Sequence, residues 1–310
     1  MKILHDPSER PAGPGKTCVA IGVFDGVHLG HQQVIRQMVA DAAQLEAFPI
    51  VVTFDRHPNS VVAPERVPPL IHSLPQRLRA IEGLGAAATW VIRFDDAFSR
   101  QTGEQFVRKL ARDFAALHSI CVGSEFSFGH RRSGNVELLR RLGRELNITV
   151  HGLAAVALDG RAVSSTRVRE AIADGRFDNA SQMLGRGYSL AGPVVKGDQL
   201  GRKLGFPTAN LDLPQLVLPP NGVYAAHAQA QGRTWRAVVN IGVRPTLGGT
   251  TPSRRVEAHL LDWEGDLYGR ELELLFVQKL RQEERFPSVE ALRAQIGKDV
   301  VAAKELFGAS

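Results

Sequence analysis

Cysteine is scarce in this chain: there are two among 310 residues, Cys18 and Cys121. Both lie in apolar, strand-like runs. They therefore read as buried thiols in a reducing cytoplasm, not as a disulfide framework. Aromatic residues make up only 6% and do not interleave with a basic repeat. Lys and Arg exceed Asp and Glu, giving a net charge of +6, but they form no long block. The charge thus favours anionic partners such as nucleotides and phosphates, and nucleic acid is not expected. No signal-peptide core opens the chain, and no apolar run is long enough to span a bilayer, so no membrane is expected either. There is no internal repeat and no low-complexity segment. The apolar fraction of 44% and the charged fraction of 23% are those of an ordinary globular protein. The length suits two domains, each with its own core. Oligomeric state is left open.

The first half alternates strand-like and helical patterns. Strands are expected at 17–23, 50–54, 89–92, 119–122 and 148–151. Helices are expected at 31–46, 75–84, 103–117 and 135–146, and two shorter ones at 166–173 and 177–184. Such alternation predicts a mostly parallel sheet covered by helices on both faces. The pattern changes near Gly185. Short alternating segments at 188–194, 223–230, 235–241, 256–261 and 271–277, parted by Gly- and Pro-rich turns, predict an antiparallel barrel or sandwich. The last stretch reads as a helix capped by Ser288, with Val289, Leu292, Ile296, Val300 and Leu306 on one apolar stripe. The expected domains are 1–186 and 187–310.

The most informative stretch runs from Gly22 to His31 and reads GVFDGVHLGH. It joins an apolar strand to a helix through a glycine-rich turn. In that geometry backbone N–H groups and a helix N-terminus face an anion. Gly22, Gly26 and Gly30 let the backbone approach closely. His28 and His31 place ring donors where phosphate charge would grow during a reaction. A zinc site at this turn is disfavoured, because no further His/Cys cluster lies nearby at ligand spacing. Farther on, Val163–Arg169 (VSSTRVR) precedes a helix, with Ser165 or Thr166 as a good N-cap. Arg167 and Arg169 in the first turn oppose the helix dipole unless an anion binds there. Taken alone, that segment supports an anion site and a pair of solvated arginines equally.

A second stretch, Gly197–Asn210, reads GDQLGRKLGFPTAN. Three glycines and two cations suit a flexible flap over phosphates, although the order is not that of a P-loop. The hydroxyl of Thr208 and the amide of Asn210 lie two apart in an extended segment and share a face. Both are hard oxygen donors that suit Mg²⁺. Glu257 is an outward residue of an alternating strand, opposite in direction to Val256, Ala258 and Leu260, and by pattern alone it faces solvent.

These motifs carry a resemblance. GVFDGVHLGH resembles the signature of the HxGH nucleotidyltransferases, and its Phe-Asp-Gly is typical of the FMN adenylyltransferase module of bacterial bifunctional riboflavin kinase/FAD synthetases. Thr53–Pro58 (TFDRHP), Gly123–Gly129 (GSEFSFG) and Val163–Arg169 resemble further segments of that module. Gly201–Asn210, Asn240–Thr246 (NIGVRPT) and Val256–Asp262 (VEAHLLD) resemble segments of the riboflavin kinase module. The likeness spans about 17–307, with both sets of motifs in the family's order. It implies an N-terminal Rossmann-like α/β domain and a C-terminal antiparallel β-barrel with a terminal helix. It implies two ATP-dependent reactions, riboflavin to FMN and FMN to FAD, with Mg²⁺.

Carried over residue by residue, the resemblance gives His28, His31 and Glu257 catalytic roles. It assigns Gly22, Phe24, Gly30, Ser164, Thr166, Arg169, Gly201 and Lys203 to nucleotide binding, and Phe54, His57, Glu125, Phe126 and Phe128 to flavin binding. Thr208 and Asn210 would hold the metal. Glu125 stands where the family often has Asn or Asp, and Arg56 where it often has Pro. Phe126 and Phe128 suit flavin stacking and a core edge equally. Two rival readings are a single-activity enzyme with one binding-only module, and a flavin- or RNA-binding protein on the same fold. The histidine pair and Glu257 weigh against the second, because binding alone needs neither.

Overall fold

The computed structural model describes residues 1–11, 15–114, 116–213, 215–244 and 253–308. The chain divides into two compact units, Met1–Thr166 and Arg167–Ser310. The expected boundary at 186/187 falls just beyond that division, so the segment from 167 to 186 counts with the second unit.

In the first unit six strands form one sheet: β1 (Lys2–Leu4), β2 (Thr17–Ile21), β3 (Phe48–Phe54), β4 (Ala88–Ile92), β5 (Leu117–Gly123) and β6 (Thr149–Leu153). Every pairing is parallel, in the order β1-β4-β3-β2-β5-β6. Helix α1 (Leu29–Leu45) covers one face. Alternate residues of the central strands, Cys18, Ala20, Val51 and Cys121, meet Ile35, Met38 and Ala42 there. The intervening residues Val19, Ile21, Ile50, Val52 and Ile120 point the other way, against α5 (Gly103–Asp113) and α6 (Val136–Leu146) through Val107, Leu110, Leu139 and Leu142. Burial on both faces is why these strands read as continuous apolar runs and not as alternating ones. Shorter helices α2 (Asn59–Val62), α3 (Leu74–Glu82) and α4 (Asp96–Ser99) pack around the C-terminal ends of β3 and β4, and a small hairpin, β7 (Ala157–Leu158) and β8 (Arg161–Ala162), precedes α7 (Ser165–Ala173).

The order reverses at β2: β3 and β4 lie to one side of it and β5 to the other. A parallel sheet opens a crevice at such a switch point, at the C-terminal strand ends, and ligands bind there. The Gly22–His31 turn follows β2 and the 123–129 loop follows β5, so topology brings both to that crevice.

The second unit begins in α7 and continues through α8 (Phe177–Leu184). Strands β9 (Ser189–Val195), β10 (Ala209–Leu211), β11 (Gly222–Ala230), β12 (Arg233–Arg244), β13 (Ser253–Leu260) and β14 (Glu271–Arg281) close into an antiparallel barrel in the order β10-β13-β12-β11-β14-β9. Phe177 of α8 joins Tyr188, Tyr224 and Phe276 in an aromatic cluster with ring centroids 5.3–6.1 Å apart. A short helix, α9 (Leu200–Leu204), precedes β10, and α10 (Val289–Gly308) lies on the barrel's outer face. There Ala303, Val300, Leu306 and Phe307 cover Val223, Ala225 and Val238.

The structure corrects several expectations. The helix expected over 103–117 stops at Asp113, and Leu117 opens β5. Helix α7 starts at Ser165, so Ser165 and Thr166 sit in its first turn and not at the cap. The 197–210 stretch is not all loop, because it contains α9. Ser288 does cap α10, its Oγ accepting from the Ala291 N–H, but Val289 is 55% exposed and leaves the apolar stripe. Pro245 and Thr246 of the 240–246 segment lie outside the described residues.

Candidate active sites

The Gly22–His31 turn is held by buried side chains that no local sequence pattern marks. Phe24 and Val27 have positive φ (52° and 42°), as does Gly26 (77°), a left-handed geometry that costs non-glycine residues about 1 kcal/mol or more. Asp25, 2% exposed, holds the turn in that shape by accepting from the Ile71 and His72 N–H groups at 3.0–3.3 Å. Arg77, 3% exposed, donates to the Val23 and Phe54 carbonyls at 2.6 and 2.7 Å. It therefore ties the exits of β2 and β3 together, while burial holds its pKa down against the pull of Asp25 and Asp55. Ser165 Oγ donates to the Asp25 carbonyl at 3.1 Å, which fixes the start of α7 against the same turn.

His28 is the N-cap of α1, its Nδ1 accepting from the His31 N–H at 3.4 Å. The two imidazoles stack with centroids 3.6 Å apart, and Phe24 meets His31 edge-on at 5.3 Å. An accepting Nδ1 leaves the ring proton of a neutral His28 on Nε2, which is then a donor. A Cβ at Gly30 would lie 3.3 Å from the His28 ring, and one at Gly22 3.0 Å from the Phe24 ring. A side chain at either position would crowd a ring of the turn, which would have to give by a few tenths of an ångström. Ser164 is half-buried, Thr166 is exposed, and Arg169 lies half-buried on α7 within the second unit.

Beside the turn lies a cavity of about 570 Å³ that touches β2 and its exit through Ile21 and Val23. Phe54, His57, Phe126 and Phe128 line it as expected. Phe126 and Phe128 stack on each other at 5.1 Å and pack against the core, as the core-edge reading describes. Glu125 is exposed and is not part of the lining. Arg56 pairs with Asp55 at 3.0 Å and is exposed. The sequence reading missed Phe94, Phe98 and Phe106, which complete an aromatic wall through edge contacts of 5.4–5.8 Å. It also missed the basic rim of His130, Arg131 and Arg132.

In the second unit, register assembles the site. Asn210 of β10 pairs with Glu257 of β13, and Glu257 pairs with Asn240 of β12. Directly opposed residues share a face, so the three polar groups form one row across the barrel's outer surface. Thr208, Asn240, Glu257 and Gly201 line a cavity of about 340 Å³ beneath α10, closed by Leu292, Ile296 and Asp299. Alternation correctly turned Glu257 away from the barrel interior, but α10 covers that face, so Glu257 is half-buried. The Asn210 side chain packs on Gly197, where a Cβ would come within 2.4 Å of its amide. Lys203 is exposed on α9 and outside the lining. Asp299 receives two guanidinium bonds from Arg281 at 2.8 Å, which hold α10 on β14 and raise the Arg281 pKa.

Comparison with known proteins gives the same division. A riboflavin kinase family model matches residues 184–307, and an FAD synthetase family model matches 11–167. A bifunctional riboflavin kinase/FMN adenylyltransferase from Pseudomonas fluorescens is 40% identical over 97% of this chain and 96% of its own length. One from Escherichia coli K12 is 35% identical over 99% and 98%. Among solved structures, a protein from Streptococcus pneumoniae named a macrolide-efflux protein superposes with a TM-score of 0.81 at 26% identity, covering 97% of this chain and 98% of its own.

Proposed function

This chain belongs to the bifunctional riboflavin kinase/FMN adenylyltransferase family, and we propose that each compact unit carries one of its two reactions on the residues just described. The enzyme phosphorylates riboflavin to FMN and adenylylates FMN to FAD. The observation that carries the assignment is that each unit holds a constellation of its own: the stacked His28/His31 pair beside an aromatic cavity, and Thr208, Asn240 and Glu257 in the cavity beneath α10, with Asn210 the strand partner of Glu257.

In the first unit, the FMN phosphate attacks the α-phosphorus of ATP and pyrophosphate leaves. Negative charge grows on the phosphate oxygens. The Nε2–H of His28 and the imidazole of His31 receive it, the kind of contribution that is typically worth about 10²–10³-fold. Gly22, Phe24 and Gly30 shape the nucleotide cradle, and Ser164 and Thr166 supply further nucleotide contacts. The isoalloxazine ring lies in the aromatic cavity, stacked by Phe126 and Phe128 between Phe54 and His57. Glu125 acts from the rim.

In the second unit, Glu257 accepts the proton of the riboflavin 5′-hydroxyl as that oxygen attacks the γ-phosphorus of ATP. A positioned base typically contributes about 10²–10⁴-fold. Thr208 and Asn210 offer hard oxygen donors beside a carboxylate, a set that fits Mg²⁺, which would neutralise phosphate charge there. Gly201 and Lys203 contact the nucleotide from α9. Domain limits of 1–186 and 187–310 describe the working modules. The two buried thiols and the need for ATP suit the cytoplasm. No helix among the described residues is long and apolar enough to cross a membrane.

One incubation with riboflavin, ATP and Mg²⁺, followed by separation of the flavins, tests the scheme. Glu257→Gln abolishes FMN formation and still converts supplied FMN to FAD, and His28→Ala does the reverse. Loss of both activities in either variant would refute the assignment of one reaction to each unit.

A further inference from the structure

The fold brings together three potential metal ligands that lie 30 to 110 residues apart in sequence, in a place neither reaction uses. Asp41 is on α1, Cys121 on β5 and His151 on β6, and one ligand atom of each lies within 4.8 Å of the others. Cys121 and His151 are direct partners across the β5–β6 pairing, so their side chains leave the sheet on one face, the face that α1 covers. Asp41 Oδ2 sits 3.1 Å from His151 Nε2 and 3.6 Å from Cys121 Sγ. Its other oxygen, Oδ1, accepts from Gln37 Nε2 at 2.7 Å, one helical turn earlier. Gln37 thereby orients the carboxylate so that Oδ2 faces the sulfur and the imidazole. Second-shell partners of this kind fix the ligands of metal sites.

We propose that Asp41, Cys121 and His151 form a site for one divalent cation of borderline softness, with Zn²⁺ the best fit. One nitrogen, one sulfur and one oxygen are the donors that Zn²⁺ takes, and three protein ligands leave a fourth position for water. A His151–Asp41 ion pair would account for two of the groups. The fully buried Cys121 thiol donates to the same carboxylate oxygen, so all three donor atoms converge on one point. Binding of the cation displaces the Cys121 proton to solvent, so affinity rises with pH. His151, with its side chain one-third exposed, gives the entry path. Asp41 lies ten residues along α1 from His31, about 15 Å by helical rise, so the site is separate from the histidine pair.

Titration of the untagged, chelator-treated full chain with Co²⁺ under anaerobic conditions tests this. We expect one equivalent to bind, with a thiolate-to-cobalt charge-transfer band in the near ultraviolet that Zn²⁺ abolishes by displacement. Cys121→Ser removes the band, and Cys18→Ser keeps it. His151→Gln, a substitution at a part-exposed edge position that leaves the core intact, weakens cobalt binding by at least about tenfold and removes the rise in melting temperature that Zn²⁺ gives the parent chain. Absence of a saturable band, its survival in Cys121→Ser, or unchanged affinity in His151→Gln would overturn the proposal. None of these readouts depends on flavin synthesis.

Discussion

At the scale of single residues, the adenylyltransferase site depends on side chains that never need to touch substrate. Arg77 bonds two strand-end carbonyls from a fully enclosed position. Arg77→Met removes the guanidinium bond to the Phe54 carbonyl and one of the two donors to the Val23 carbonyl, which keeps Thr53 Oγ1, and is expected to destabilise the first unit by about 1–3 kcal/mol, read as a lower urea midpoint. It should lower FAD formation from FMN while FMN formation from riboflavin persists. Arg77→Lys, which keeps a charge but not the fork, should restore only part of the stability. Gly201 is constrained in a different way. A Cβ there would stand 2.4 Å from the Phe206 carbonyl, which is backbone and cannot swing aside. Gly201→Ala should therefore displace α9 and reduce riboflavin phosphorylation at least tenfold in a steady-state kinase assay, with adenylylation unchanged.

At the scale of elements, α10 closes the cavity that holds Glu257, the proposed kinase site. The Arg281–Asp299 bidentate pair, with Gln295 also on Asp299, is its polar anchor. Asp299→Ala removes both carboxylate bonds from Arg281, which keeps only the Gln282 carbonyl, a loss of about 1–3 kcal/mol. It should raise KM for riboflavin more than it lowers kcat. Much of this architecture was legible beforehand. The helical period marked α1, α5 and α6, doubly buried runs marked the central strands, and alternation marked β14. Strands of three residues, β1 and β10, were not legible, because they are too short to show a period. Asp25 and Arg77 were equally hidden, since their partners lie 23 to 54 residues away and only packing reveals them. The Asn210–Glu257–Asn240 row depends on register between strands, which no single segment encodes. The aromatic wall did leave a trace: Phe94 and Phe98 stand four apart.

At the scale of the whole molecule, the two units answer differently to stress. In the barrel, burial pushes Tyr224 up to about 12, while its hydroxyl donates to the Pro220 carbonyl. An unfolded tyrosine ionises near 10. The folded state thus holds its proton longer, so this contribution to stability is intact below about pH 10 and is lost as pH rises toward 12. Tyr224→Phe should unfold at a urea midpoint that changes less between about pH 9 and about pH 11.5 than that of the parent chain. The strands set a further contrast. Among the described residues the closed barrel presents no free edge, whereas the parallel sheet ends at β1 and β6. Strand β1 has three residues and carries Lys2, but β6 has five, Thr149–Leu153, mostly half-buried. An open backbone edge of that length is a template for strand addition by another chain. When the folded protein self-associates at high concentration, the contact that propagates should begin at β6, so a proline placed there would protect solubility while leaving the kinase barrel untouched.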